Sequence, residues 1–265
     1  MAEAIIAGML RKKLVGPKQI AGSHPRQARR EEMHVKYGID MFEHNRDAVT
    51  ASYPEGNDDS SVLVLAVKPQ RLQRVLEELK GALVKEQLVV SIVAGARIAT
   101  IAEELLHASI VRTMPNTPAQ IGEGVTAWTA SAAVSEKQQQ QVCAMLEALG
   151  KTVHVENEHQ IDMATALSAT GPTYIFMVME ALIDAGVHMG FSRHVAQELV
   201  HQTMLGAVLF ARESHKHPAE LRNMVTSPGG TSAEAIYQME KGSLRTVLSK
   251  AVWAAYQRAE ALGQK

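Results

Sequence analysis

The chain has 265 residues, of which 46% are hydrophobic and 21% are charged. This composition is typical of a globular protein with one large domain or two ordinary ones. The net charge of −1 argues against a nucleic-acid partner and against binding to an acidic membrane surface.

Cys143 is the single cysteine, so no internal disulfide can form and we expect a cytoplasmic location. No apolar run is predicted to cross a membrane, because Glu180 interrupts the most apolar one. The histidines and the cysteine show no metal-ligand spacing, so we expect no metal site.

Residues 1–156 alternate between helix-like and strand-like segments. The pattern predicts an amphipathic helix over Ala2–Leu10, with neither a cap nor a strand before it. Ser61–Val67 is a continuous run typical of a strand buried on both faces. Further strands are predicted in QIAGS, QLVVSIVAG, SIVRTM, GVTAWTA and KTVHVE, and further helices in LQRVLEELKGAL, RIATIAEELL and SEKQQQQVCAMLEAL. The alternation predicts an α/β domain with a mostly parallel sheet and helices on both faces.

From residue 157 to residue 265 the sequence predicts helices only. The helix Pro172–His188 is apolar nearly all round, which indicates burial in a core or in a subunit interface. We expect so small a helical domain with so apolar a helix to dimerise. The other predicted helices are Asp162–Leu167, Arg193–Glu213, Ala219–Met224, Ala233–Met239 and Leu244–Leu262.

The segment QIAGSHPR ends a predicted strand with Ser23, His24, Pro25 and Arg26. In a dinucleotide-binding sheet, an acid at this point favours NAD, whereas small polar and basic residues suit the 2′-phosphate of NADP. No acid is present here, which suits a 2′-phosphate. A solvated polar loop before a basic helix start explains the same residues.

Two other segments place polar residues directly after predicted strands. Lys68, in AVKPQ, lies at the carboxyl end of a buried strand, where open α/β sheets bind ligands. Asn116 follows another strand in RTMPNTPA, between two prolines that fix the backbone, so its amide can bond a ligand or its own turn. Lys68 is also explained as an ordinary lysine at a strand end, and the Asn116 segment as a turn.

The segment VTSPGGTSAEAI predicts a tight turn at the start of a helix, with Pro228, Gly229 and Gly230 as its centre. Free backbone N–H groups at such a start attract a carboxylate or a phosphate. Hydroxyl side chains crowd the same turn, which favours a small-anion site. The alternative is a plain connection closed by a capping box between Thr231 and Glu234.

In this order, the segments AVKP, MPNTPA, ATGPTY and PAELRNMVTSPGGTSAEAIYQME resemble the pyrroline-5-carboxylate reductase family over the whole chain. The resemblance implies a Rossmann-like domain over 1–156 that binds NADPH, with NADH possible. It also implies a helical substrate-binding and dimerisation domain over 157–265, and a homodimer or a higher homo-oligomer. The implied reaction reduces 1-pyrroline-5-carboxylate to L-proline.

The same resemblance assigns site residues. Ser23 and Arg26 would face the 2′-phosphate, and Asn45 the adenosine ribose. Ser232 would hydrogen-bond the ring nitrogen of the substrate, and Ser232 and Lys68 are the candidate catalytic residues. The cofactor cleft would be lined by Ala66, Val67, Lys68, Pro69, Met114, Pro115 and Asn116, and the substrate by Ser227, Gly229, Gly230, Thr231 and Ser232.

Family members open with a strand and a Gly-x-Gly turn before Met-Ala-Glu-Ala, whereas this sequence begins at that Met-Ala-Glu-Ala. We therefore expect the 265-residue chain to bind NADPH poorly and to fold less stably than a form carrying about ten more residues ending in such a turn. Two rival hypotheses follow. One is a dimeric remnant without cofactor binding. The other is a related β-hydroxyacid dehydrogenase, which the absence of lysine from Pro172–His188 disfavours.

Overall fold

A computed structural model describes residues 1–51 and 61–263. The last two residues of the predicted helical domain, 264–265, lie outside the described residues. The strands are β1 (Ala21–Ser23), β2 (Asp40–Phe42), β3 (Val62–Leu65), β4 (Leu88–Ser91), β5 (Ile110–Met114), β6 (Gly124–Ala130) and β7 (Gly150–His154). The helices are α1 (Ala2–Arg11), α2 (Gln27–Tyr37), α3 (Asn45–Ala51), α4 (Pro69–Leu79), α5 (Ile98–Leu105), α6 (Glu136–Glu147), α7 (His159–Ala164), α8 (Gly171–His188), α9 (Arg193–Ser214), α10 (Pro218–Met224), α11 (Thr231–Lys241) and α12 (Leu244–Leu262).

The strands form a mostly parallel arrangement in two sheets. One sheet has the order β3-β4-β5-β6-β7, in which only the β5–β6 pair is antiparallel. The other sheet is the parallel pair β1-β2. Within the described residues no strand pairs β1 with β3, so each of these strands has one edge without a ladder partner. Sequence patterns missed both β2 and α3.

Helices cover both faces of the five-stranded sheet, as predicted. On one face α1 and α6 bury Ile5, Val142 and Leu146 against alternate residues of β4, β5 and β6. On the other face α4 and α5 bury Leu76 and Ile101 against the intervening residues of β3, β4 and β5. The continuous apolar runs of β4 and β5 are therefore explained by burial on both sides.

A buried ion-pair network joins β5 to the segment that begins α7. Arg112 of β5 is fully buried; its guanidinium donates to Asp162 at 2.5 Å and to Glu158 at 3.0 Å. Asp162 is only 2% exposed, so this pair is shielded from water. Glu158 also accepts the backbone N–H of Ile98 at the start of α5, at 2.8 Å. One arginine thus fixes two helices against the central strand, and sequence patterns did not identify it.

A second cluster ties α1 to α2. The Glu3 carboxylate accepts hydrogen bonds from Arg29 at 2.6 Å and from Lys36 and Tyr37 at 2.8 Å each. The bond from Lys36, followed by those from Arg29 and Tyr37, lowers the pKa of Glu3 from its ordinary 4.5 to about 2. Glu3, at the start of α1, is therefore held as an ionised carboxylate whose charge is balanced by Arg29 and Lys36.

The chain divides into two compact units, Met1–Thr170 with Ala255–Lys265, and Gly171–Ala254. The second unit is helical, and α8 and α9 pack closely in it because Gly186 lies against Ala196, where an added Cβ would come within 3.0 Å of the alanine Cβ. The predicted domain ranges of 1–156 and 157–265 stay a prediction.

The apolar helix α8 carries much of its hydrophobic surface on the outside of the single chain. Its exposed large side chains are Ile175, Phe176, Met177, Val178 and Leu182. Of the two alternatives for this helix, the structure therefore favours a subunit interface over a core. The helical run 159–188 also contains an 18-residue stretch with a mean hydropathy of 1.3, so by length and composition alone it is long and apolar enough to cross a membrane. The expectation that no apolar run is long and apolar enough to cross a membrane was wrong, because Glu180 alone does not lower the mean hydropathy of this stretch enough.

Replacing Arg112 with methionine should destabilise the first unit by about 3–5 kcal/mol, because Asp162 would stay buried without its cation. Urea unfolding monitored by circular dichroism measures this loss. Lys18→Met is the matched control, because Lys18 pairs with Asp40 on the exposed surface and its loss should cost at most about 1 kcal/mol. The double variant Arg112→Met with Asp162→Leu should recover part of the loss. A loss for Arg112→Met no larger than the control's would show that the buried pair stabilises the unit no more than an exposed one.

Replacing Glu3 with glutamine should flatten the acid dependence of stability. The pKa of Glu3 is lower in the folded chain, so its contribution is fully present above pH 4.5 and disappears as the pH falls toward 2. The free energy of unfolding of wild type should therefore fall more steeply across this window than that of the variant. Glu31→Gln, an exposed change on the neighbouring helix α2, should keep the wild-type slope. Parallel slopes for wild type and Glu3→Gln would refute the assignment.

Candidate functional site

The predicted adenosine-binding residues Ser23 and Asn45 are in direct contact. Ser23 ends β1, Asn45 begins α3, and the Ser23 hydroxyl donates to Asn45 Oδ1 at 2.6 Å. Behind them, the Glu78 carboxylate accepts the Asn45 backbone N–H at 3.0 Å and Nδ2 at 2.8 Å. Glu78 lies on α4 and was missed by sequence patterns, since an acid on an amphipathic helix gives no signal of its own.

Arg30 is hydrogen-bonded to the loop after β1. The Arg30 guanidinium donates to the carbonyls of His24 and Pro25, at 2.8 and 3.1 Å, and pairs with Glu43 at 3.3 Å. The His24 ring accepts the backbone N–H of Arg26 at 3.1 Å. The Arg26 side chain is exposed and makes no hydrogen bond or ion pair within residues 1–51 and 61–263, so its donors are available to a ligand.

The AVKP segment follows β3 as predicted. Ala66 and Val67 are partly buried, whereas Lys68 and Pro69 are exposed at the start of α4. The Lys68 backbone is extended and Pro69 occupies the first helical position, where its missing N–H costs nothing. Lys68 therefore presents its ammonium group at the carboxyl end of a parallel strand.

The MPN segment follows β5 and is buried. Met114 packs with Ala127 and Ile161, and Pro115 is buried beside it. The Asn116 amide accepts the backbone N–H of Val125 at 2.9 Å and donates to the carbonyl of Ser168 at 3.3 Å. Of the two alternatives for Asn116, the structure shows its amide bonding the surrounding backbone; a contact with a ligand amide stays a prediction.

The Ser168 carbonyl belongs to a π-helical segment, Thr165–Ala169, between α7 and α8. π-Helices are rare in proteins, and those that occur are often at functional sites. Here the Asn116 bond reaches one of its carbonyls, while the hydroxyls of Thr165, Ser168 and Thr170 donate back to preceding carbonyls. The end of β5 and the π-helical segment are thereby joined through one side chain.

In the helical unit, the Pro-Gly-Gly turn connects α10 to α11. Gly229 has φ +68°, a left-handed conformation that favours glycine, and an added Cβ on Gly230 would lie 2.6 Å from Ser227 Oγ. The helix α11 is capped by Gly230 without a side-chain bond, so the expected capping box between Thr231 and Glu234 was wrong. The turn places Gly230 itself at the cap and moves Thr231 into the first turn.

This arrangement forms a candidate anion cradle at the start of α11. In the described chain, the backbone N–H groups of Gly229, Thr231 and Ser232 have no acceptor, whereas Gly230 N–H bonds to the Ser227 carbonyl at 3.0 Å. The hydroxyls of Ser227, Thr231 and Ser232 are likewise without partners among the described residues. Thr226, by contrast, donates to the Arg222 carbonyl at 2.6 Å. The cradle combines free backbone donors, the positive end of α11 and free hydroxyls.

The predicted residues thus form two groups. The first unit contains the candidate cofactor residues from Ser23 to Asn116, and the second contains the substrate residues from Ser227 to Ser232. Within the described ranges, no cluster of three or more histidine, cysteine or acidic side chains could hold a metal ion. The two groups themselves offer hydrogen-bond donors, hydroxyls and cationic side chains.

Two family models match the chain. The model described as pyrroline-5-carboxylate reductase dimerisation covers residues 158–262, and the one described as NADP oxidoreductase, coenzyme F420-dependent, covers residues 1–95. The first contains the anion cradle and the apolar helix α8. The second contains Ser23, Asn45 and Lys68.

Full-length relatives agree with these matches. Pyrroline-5-carboxylate reductase of Synechocystis is 39% identical over all of this chain and 96% of its own length, and that of Pseudomonas aeruginosa is 40% identical, over all of this chain and 95% of its own length. The crystal structure of Plasmodium falciparum pyrroline carboxylate reductase with NADP bound is similar, with a TM-score of 0.88 and 28% identity, covering 98% of this chain and 94% of that one. The chain belongs to the pyrroline-5-carboxylate reductase family.

Proposed function

We propose that this chain reduces 1-pyrroline-5-carboxylate to L-proline with NAD(P)H, the reaction that the names of its full-length relatives describe. The observation that carries the proposal is the anion cradle at the start of α11, a site of the right chemistry for the substrate carboxylate. NADPH oxidation on addition of 1-pyrroline-5-carboxylate tests it. The absence of such oxidation under conditions where the chain is folded would contradict it.

The residues of the first unit fit the adenosine half of NADPH. Arg26 offers a guanidinium without a competing partner in the described chain, and Ser23 and Asn45, which are bonded to each other, offer a hydroxyl and an amide. A planar guanidinium matches a phosphate bidentately. We therefore propose Arg26 and Ser23 for the 2′-phosphate and Asn45 for the ribose. The NADP oxidoreductase match over this stretch supports the assignment.

The remaining cofactor cleft is proposed on position. Ala66, Val67, Lys68 and Pro69 follow β3; Met114 ends β5, and Pro115 and Asn116 follow it. These two strands are parallel to β4, which lies between them, so the two segments leave the same edge of the sheet. We propose that they line the cleft, with the buried MPN segment next to the nicotinamide.

In the proposed mechanism the protein positions the substrate and the nicotinamide, and the hydride passes directly between them. The residues proposed for the cofactor cleft would hold the nicotinamide, which would supply the hydride for the C=N carbon of the substrate, and solvent would supply the proton for the ring nitrogen. Ser227, Gly229, Gly230 and Thr231 would hold the substrate carboxylate, and Ser232 would hydrogen-bond the ring nitrogen. A protonated imine is already a good hydride acceptor, so orientation and exclusion of water account for the catalysis required of the chain.

Lys68 is the other candidate catalytic residue. Its ammonium group is exposed and makes no hydrogen bond or ion pair in the part of the chain that the structure describes. We propose an electrostatic role, in which this positive charge attracts the anionic substrate and cofactor toward the carboxyl edge of the sheet. No side chain is assigned as an essential general acid.

Assembly and location complete the proposal. The dimerisation match over residues 158–262 makes the chain a homo-oligomer, and the exposed apolar side chains of α8 provide the surface. We propose a homodimer that can assemble further, with neither nucleic acid nor membrane as a partner. Cytoplasmic location remains an expectation from the single cysteine. If the folded chain bound neither NADPH nor NADH, the result would instead support the rival hypothesis of a dimeric remnant without cofactor binding.

Ser232→Ala should lower turnover of 1-pyrroline-5-carboxylate while leaving NADPH affinity nearly unchanged. Loss of the proposed bond to the ring nitrogen should cost about 1–3 kcal/mol, because a polar partner is left unpaired. Steady-state kinetics and nucleotide titration separate the two effects. Ser243→Ala, in the same unit and away from the turn, is the control. Unchanged kinetics for Ser232→Ala would remove Ser232 from the site.

Arg26→Ala should weaken NADPH binding much more than NADH binding, since only NADPH carries the 2′-phosphate. Loss of a charge-assisted contact should cost about 1.5–3 kcal/mol. Fluorescence titration with each nucleotide measures the two dissociation constants. Arg71→Ala, an exposed arginine of α4, serves as the control. Equal losses for both nucleotides would show that Arg26 does not bind the 2′-phosphate.

A further inference from the structure

Ser23, Asn45 and Glu78 form a hydrogen-bonded chain with only one possible direction. Glu78 begins it, because a carboxylate accepts hydrogen bonds and has none to donate. It accepts both the backbone N–H and the Nδ2 of Asn45, at 3.0 and 2.8 Å. The Asn45 amide is thereby turned so that its oxygen faces Ser23.

The direction continues to the hydroxyl. Asn45 Oδ1 can only accept, so the 2.6 Å contact requires Ser23 to donate its single proton to it. Ser23 Oγ then presents only lone pairs to an incoming ligand. The polarity of the hydroxyl is set by Glu78, which lies two side chains away.

We propose that Glu78 is a specificity-determining residue that limits the preference for NADPH over NADH by fixing Ser23 as an acceptor. This inference rests on the proposed function, which places Ser23 at the 2′ position of the adenosine ribose. The 2′-hydroxyl of NADH can donate to Ser23 Oγ as it stands. A 2′-phosphate has to draw the Ser23 proton toward itself, which leaves Asn45 Oδ1 without its donor.

Arg26 and Glu78 therefore act in opposite directions. The exposed guanidinium of Arg26 favours the phosphate by charge, whereas the chain from Glu78 favours the hydroxyl by hydrogen-bond polarity. Glu78 acts by positioning Asn45 and not by touching the nucleotide. The resulting pocket accepts both nucleotides, and the balance between them is adjustable at a residue outside the pocket.

The test is Glu78→Gln, which keeps the size of the side chain and replaces one acceptor with a donor. The Gln oxygen must accept the Asn45 backbone N–H, which cannot turn, so the new NH₂ group faces the Asn45 amide. Asn45 then turns its oxygen toward that group and its Nδ2 toward Ser23, which frees the Ser23 proton. The ratio of the NADH to the NADPH dissociation constant should rise about five- to tenfold.

Two controls separate polarity from charge and from folding. Glu77→Gln removes a neighbouring charge of α4 that is bonded to Gln73, and should leave the ratio unchanged. Removal of the Glu78 charge by itself also favours a phosphate, so Glu78→Gln is repeated in a Ser23→Ala background. The relayed effect needs the hydroxyl, so the rise should shrink to about twofold or less there. Both nucleotides are titrated by fluorescence on the same protein, so a shared loss of folding cancels in the ratio.

The outcomes distinguish this inference from the proposed function. If wild type binds neither nucleotide, the proposed function and the role of Glu78 both fail. If wild type binds both and Glu78→Gln leaves the ratio unchanged, the role of Glu78 alone is refuted. An equal rise in the Ser23→Ala background would refute the relay and assign the effect to charge. A rise that requires Ser23 supports it.

Discussion

The buried guanidinium of Arg112 organises the end of the sheet from which the candidate cofactor loops leave. Removing an arginine from water is costly, and only paired, hydrogen-bonded carboxylates compensate for it. Glu158 and Asp162 supply them from positions four residues apart, which on a helix share one face. The pairing therefore fixes the rotation of α7 as well as its position. Asn116 adds a third attachment farther along, at the carbonyl of Ser168. The buried MPN segment and the π-helical segment are consequently held by side chains that cannot move independently.

The starts of α1 and α11 differ in whether their polar groups have hydrogen-bond partners within the chain. At the start of α1 the carboxylate of Glu3 is surrounded by donors, and its pKa falls to about 2, so its charge is neutralised locally. At the start of α11 the backbone N–H groups of Gly229, Thr231 and Ser232 have no acceptor in the described part of the chain. Saturated donors stabilise a fold, whereas unsaturated ones are available to a ligand. This contrast supports the proposal that the substrate carboxylate binds at the Pro-Gly-Gly turn.

Sequence patterns predicted most of the fold because burial on two faces demands apolar runs. They missed β2 because three residues, Asp40–Phe42, give no periodicity. They also missed Arg112, although an arginine within the buried strand SIVRTM was a signal that acids had to meet it. Thr231 was misassigned as a cap, since sequence cannot distinguish a side-chain cap from a glycine one. Ser23 and Asn45 were both predicted, and the structure adds their contact. Such contacts depend on tertiary geometry that spacing does not encode.

The two opposing determinants proposed for the adenosine end, the charge of Arg26 and the hydrogen-bond chain from Glu78, differ in the distance over which they act. Arg26 is exposed, so its attraction for a phosphate is screened by salt over a Debye length of about 8 Å at physiological ionic strength. The bonds among Ser23, Asn45 and Glu78 are partly buried and act over single contacts, which salt affects little. If Arg26 and Ser23 bind the 2′ position as proposed, raising the ionic strength weakens the attraction of Arg26 for the phosphate of NADPH and leaves the hydrogen-bond polarity that favours NADH in place. Nucleotide choice in such a pocket is a property of the protein and its ionic surroundings together, which a count of basic residues in the loop does not capture.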